Sequence, residues 1–191
     1  MEADKMIAHI RLATRGSQSY ENTHPFVMRD NSGRTWTLAH NGTVFDCDLL
    51  NPFTHCQQGQ TDSERILAYI TSRMDIEMEN KKELPAQERF GIVDKILCEI
   101  TPENKINLLL FDGELMYVHT NYQNSLYRCR KGDAVIISTK PLGRHVWEPV
   151  PMNTLAAYKD GKQMYTGTNH RNEFFETEEK MRLLFLDFAN L

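Results

Sequence analysis

Two helical stretches set between blocks of alternating strand pattern constrain this chain more than any other feature. Residues 61–74 repeat apolar positions at helical spacing through Ile66, Leu67, Tyr69, Ile70 and Met74. Thr61 with Glu64 three positions on reads as a capping box at the start of that helix. Pro85 opens a second helix that buries Phe90, Ile92, Val93, Ile96 and Leu97, and Pro102 ends it. From Lys105 the period drops to two. Residues 106–111 and 114–120 flank the Asp112-Gly113 turn, 125–130 and 134–139 follow, and 154–159 and 163–165 flank Asp160-Gly161. Upstream, 26–29 and 34–39 form a hairpin around 30–33, and 5–14 reads as a strand running into a loop. Residues 43–60 lose all period and read as loop, 75–84 as a charged connector, and 172–191 as a helix striped by Phe174, Phe175, Met181, Leu184, Phe185 and Phe188. Antiparallel strands with helices segregated between them predict an α+β fold, most economically an αββα sandwich.

The 191 residues fit one domain spanning 1–191, with no linker, repeat or low-complexity stretch to divide it. A net charge of −4 gives no electrostatic reason to expect nucleic acid or an anionic membrane as partner. No apolar run approaches the ~20 residues that span a bilayer, and the first ten residues lack the pattern of a secretory signal. Cys47, Cys56, Cys98 and Cys129 are irregularly spaced, which predicts reduced thiols in a cytoplasmic protein. Nothing among the seven histidines suggests a metal site, and neither metal nor cofactor is expected.

Four polar clusters stand close together: His9–Gly16, Glu21–Phe26, Trp36–Gly42 and Gly59–Glu64, reading HIRLATRG, ENTHPF, WTLAHNG and GQTDSE. Clusters attached one after another to apolar runs converge in space more readily than they decorate a surface. Their residue types suit a zwitterionic amide. Arg11 offers the planar fork that pairs with a carboxylate. Asp62, in the first turn of its helix, can take an ammonium, and Asn41 with the Gly42 N–H can donate to an oxyanion. Each has a plainer reading when taken alone. Arg11 could be a surface ion pair, Asn41-Gly42 a turn, Asp62 a helix-end charge, and His24 before Pro25 a loop anchor. His9 reads as a strand residue.

In this order the clusters resemble the glutamine-binding half of the class II glutamine amidotransferases, a branch of the N-terminal nucleophile hydrolases. The likeness is to the small stand-alone type and covers residues 6–165, including NLLLFDGELMYVHT at 107–120 and ISTKPLG at 137–143. The resemblance implies that Arg11 and Thr14 hold the carboxylate of glutamine or a γ-glutamyl compound. It further implies that His24 shapes the pocket wall, Asp62 grips the ammonium, and Asn41 and Gly42 form the oxyanion hole. Proteins of that family attack the amide with a cysteine at the mature amino terminus, its own amine serving as base. The present chain begins Met-Glu-Ala, and the segment that carries that cysteine in the family has no counterpart before residue 5. The sandwich is therefore expected to be incomplete at its N-terminal end. A second copy is expected to cover the open sheet edge as a homodimer. The chain as it stands is expected to be silent as a transferase or amidohydrolase. The rival reading is a non-catalytic module that retains an amino-acid or γ-glutamyl pocket for binding or assembly.

Overall fold

The computed structural model describes residues 4–10, 19–79 and 81–182. Its elements run β1 (Phe26–Arg29), β2 (Thr35–His40), α1 (Asp62–Met78), α2 (Ala86–Ile100), β3 (Leu108–Phe111), β4 (Met116–His119), β5 (Tyr127–Lys131), β6 (Ala134–Ser138), β7 (Glu148–Pro149), β8 (Ala156–Lys159) and β9 (Lys162–Thr166). A six-stranded sheet orders them β1-β2-β3-β4-β8-β9, and a three-stranded sheet β6-β5-β7; every pairing is antiparallel. The α+β expectation holds.

Alternation along the strands builds two cores. Trp36 and Leu38 of β2, Leu108 and Leu110 of β3 and Tyr117 of β4 pack with Ile66, Ile70, Val93 and Ile96 of the helices. Val118, Ala156 and Tyr158 turn the other way, toward Leu126, Val135 and Ile137. Among the described residues the layers thus run helices, large sheet, small sheet. Every strand fully covered on both faces lies in the middle of the large sheet. No helix of the described residues is long and apolar enough to cross a membrane.

Several local expectations need correction. Residues 5–10 form no strand, and Ile10 is 99% exposed: alternation alone cannot make a strand where no ladder partner is described beside it. The rest of that stretch, with Arg11 and Thr14, lies outside the described residues. Asp48–Cys56 is a 3-10 helix and not loop; it encloses Pro52 and buries only Leu50. A tight helix anchored by one side chain leaves no apolar period to detect. α1 continues to Met78, which stacks one turn beyond Met74 in the core while Ile76 and Glu77 face solvent. Half of the capping box forms. Thr61 Oγ1 accepts the Glu64 N–H at 3.4 Å, but the Glu64 carboxylate accepts from the N–H groups of Gln58 and Gly59. Residues 172–177 carry no regular secondary structure, with the helix starting at 178, and the Phe174 N–H is committed to Asn121 O. Phe174 is buried but Phe175 is exposed. Leu184, Phe185 and Phe188 lie outside the described residues.

Polar clasps close both ends of the large sheet. At the β3–β4 turn, the Arg89 guanidinium of α2 donates to Asp112, Glu114 and Leu84 O, and Tyr117 adds its hydroxyl to Asp112. At the opposite end, His119 and His170 meet at 3.0 Å. Ile106 O can only accept, so His119 Nδ1 carries the proton; the Asn172 N–H donates to His170 Nδ1, so His170 Nε2–H donates to His119 Nε2. Both rings are neutral in this arrangement. Burial, and then the neighbouring His170, holds His119 down to about 3, and burial also lowers His170. A base whose folded value lies below its unfolded one is protonated in the unfolded chain first. Stability is therefore full above about pH 6.5 and declines as pH falls toward 3, by about 1.4 kcal/mol per pH unit for His119. The urea midpoint is expected to be lower at pH 5 than at pH 7.5, with a smaller drop in His119→Gln. Equal midpoints for the native chain at the two pH values would refute this.

Candidate active site

β2 delivers His40, Asn41 and Gly42 to the end of the large sheet where β3 begins. Register pairs His40 with Leu108, and the Asn41 N–H donates to Asn107 O at 2.8 Å. Beyond the turn, Thr43 and Lys105 exchange both backbone hydrogen bonds, at 2.9 and 3.0 Å. The turn is thus stapled to the α2–β3 connection on both sides of Gly42. Space there admits only glycine: a Cβ on residue 42 would lie 1.9 Å from Lys105 O and 2.5 Å from His40 Nε2. Within the described residues the Gly42 N–H donates no hydrogen bond, and Asn41 is exposed.

His40 points to the opposite face, toward the helices. Its Nε2 meets Lys105 O at 3.2 Å and must donate there, leaving Nδ1 to accept from the Ser63 hydroxyl at 3.0 Å. Burial lowers its pKa, which fits this neutral form. Ser63 in turn holds the helix start: its backbone N–H donates to Asp62 Oδ1 at 2.8 Å, while Val44 N–H donates to Asp62 Oδ2 at 2.6 Å. Asp62 is therefore pinned by backbone donors at the first turn of α1, with lone pairs still open. Asn104 secures the segment after the turn, accepting from the Phe45 and Asp46 N–H groups and donating to Asp46 O and Ile100 O. Asn121 ties in the rest through Ile106, Asn104 and Asn172.

These residues border one open cleft of about 1140 Å³ between the sheets. Asn41, Gly42, Asp62 and His24 all line it, so four of the six residues singled out in the sequence come together. Arg11 and Thr14 lie outside the described residues. His24, joined to Pro25 by a cis peptide bond, sits in a ring cluster, 4.1 Å from His9 and edge-on to Phe26 at 4.8 Å. His9 also lines the cleft, a position its alternating neighbours did not indicate. So do residues 137–140 and Leu142 of the ISTKPLG stretch. At one rim Phe45 stacks on Phe174 at 5.6 Å, with Lys180 over both rings and Glu176 paired to Lys105 at 3.5 Å. None of the four cysteines lines this cleft.

Asn104, Asn107, Asn121 and Ser63 support the site but escaped sequence reasoning. A single buried amide or hydroxyl leaves no periodic trace. The one available signal was Asn107, a polar residue opening the apolar run Leu108–Phe111.

A protein of Haemophilus influenzae provisionally named a glutamine amidotransferase is 29% identical over 83% of this chain and 61% of its own length. The Escherichia coli protein YafJ, provisionally named in the same way, is 31% identical over 69% of this chain and 52% of its own. The chain thus spans between half and two thirds of the length of these curated relatives. A crystal structure of a Pseudomonas aeruginosa protein, also provisionally described as a glutamine amidotransferase, superposes with a TM-score of 0.61. It covers 76% of this chain and 66% of the other at 22% identity, and so shows the fold. The family model for class II glutamine amidotransferases matches residues 1–133. With well over half its length matched by that model, the chain belongs to the class II glutamine amidotransferase family.

Proposed function

We propose that the cleft binds glutamine or a γ-glutamyl amide by both ends. Asp62 takes the α-ammonium, Arg11 and Thr14 the α-carboxylate, His24 forms a wall, and Asn41 with the Gly42 N–H receives the side-chain carbonyl oxygen. The observation that carries this reading is the stapled turn: two backbone donors to fixed carbonyls leave the Gly42 N–H open on the same cleft that holds Asp62. In a complete enzyme of the family, such donors would stabilise the oxyanion formed when a terminal cysteine attacks the amide, leading to amide hydrolysis or ammonia transfer. Among the described residues that line the cleft there is no cysteine, and the reading carried here is one of binding.

Titration calorimetry tests both halves. Glutamine is expected to bind in the millimolar range or tighter, its analogue lacking the α-amino group more weakly, and Arg11→Ala about tenfold more weakly or not at all. Ammonia release from glutamine should stay at background. No heat with millimolar glutamine would overturn the pocket, and steady ammonia release would overturn the claim of silence.

A further inference from the structure

Asn107 stands beside Asn41 at the head of β3, and its role is set by the hydrogen bonds around it. Strand alternation puts it on the face of Leu109, opposite the helix-packed Leu108, and it lines the cleft. It is 2% exposed. Its Oδ1 accepts the Thr120 hydroxyl at 2.5 Å. Thr120 Oγ1 also lies 3.2 Å from Tyr122 O and 3.0 Å from Ser125 Oγ, but its 2.5 Å separation from Asn107 is that of an O–H donor and too short for an amide N–H. The orientation of the Asn107 amide follows, with oxygen toward β4 and nitrogen elsewhere. Among the described residues Nδ2 has no acceptor. Buried donors are rarely left unmet in folded proteins, because nothing replaces the water they lose.

We propose that Asn107 is a substrate-contacting residue whose Nδ2 donates to the side-chain carbonyl oxygen of the bound amide, beside Asn41 and Gly42. The geometry favours an oxygen of a neutral amide or a carboxylate, since Nδ2 offers only protons. Thr120 is then a positioning residue, holding the amide with its nitrogen free. This inference rests on the glutamine reading of the cleft.

The test compares glutamine with norvaline, which keeps the α-carboxylate and α-ammonium but lacks the amide. Calorimetry on the 191-residue chain is expected to show glutamine weakened about tenfold in Asn107→Ala. Norvaline, read directly or by competition, should change less than about twofold, a difference that a purely structural role would not produce. Asn107→Asp retains the shape and the Thr120 bond while replacing the donor by an acceptor. It should show the same selective loss, and it carries the test if the alanine variant fails to fold. Glutamine binding unchanged in the variants, or equal losses for the two ligands, overturns the role of Asn107 alone. A parent chain that binds no glutamine overturns the pocket reading and this inference together.

Discussion

Asp112→Ala should destabilise the fold by about 3–5 kcal/mol, the cost of breaking a buried ion pair from one side. Asp112 is fully buried and Arg89 nearly so, with the guanidinium at 2.8 Å from Oδ2. The carboxylate also accepts the N–H groups of Glu114 and Leu115 at 2.8 and 2.6 Å and the Tyr117 hydroxyl at 2.8 Å. Its neighbours register the charge. Burial and the Asp112 carboxylate push the Tyr117 hydroxyl up. Burial pulls Arg89 down, but its bonds to Asp112 and Glu114 outweigh that and hold it above its ordinary value. Bonds from Lys159 and Arg89 hold Glu114 down to about 2. Alanine removes four acceptor contacts at once and leaves a cation in the core. For a chain of this size the melting temperature should fall by roughly 10 °C or more. Asp112→Asn keeps the shape and should cost less. An alanine variant that melts with the native chain would show that the turn, and not the ion pair, joins α2 to the sheet.

Gly42→Ala should abolish glutamine binding while leaving most of the fold in place. The added methyl meets a backbone carbonyl, Lys105 O, which is itself held by the Thr43 N–H and His40 Nε2. A side chain could rotate away; this carbonyl cannot move without opening the Thr43–Lys105 bridge. Overpacking of that kind costs about 1–3 kcal/mol. The larger effect is on the donors, since the turn must shift by more than a hydrogen bond tolerates. Calorimetry should show glutamine affinity reduced at least about tenfold, beside a modest fall in melting temperature. Native affinity in this variant would remove the Gly42 N–H from the site.

Legibility in the sequence followed repetition. The two helices and the β1–β2, β3–β4 and β8–β9 hairpins repeat their apolar positions several times, and Asp112-Gly113 and Asp160-Gly161 mark their turns, so their existence could be read. Their ends could not: Met78 extends α1 by a single side chain that drops back into the core after two exposed residues. The non-helical path of 172–177 is tied to Asn121, some fifty positions earlier, and no local pattern contains that information. At the site, Asn41, Gly42, His24 and Asp62 were visible because they sit in short clusters. Asn104, Asn107 and Asn121 were not, because each acts on backbone or side chains remote from it.

Two of these asparagines give the site a particular vulnerability. Asn104 and Asn121 hold the loops by donating from Nδ2 to carbonyl oxygens, those of Asp46, Ile100 and Asn172 among them. Hydrolysis of either amide to a carboxylate would turn donors into charged acceptors facing carbonyls, reversing attraction into repulsion. Deamidation, a lesion that leaves the chain uncut, would therefore loosen the segments that flank the stapled turn while the turn's own backbone bonds stay in place.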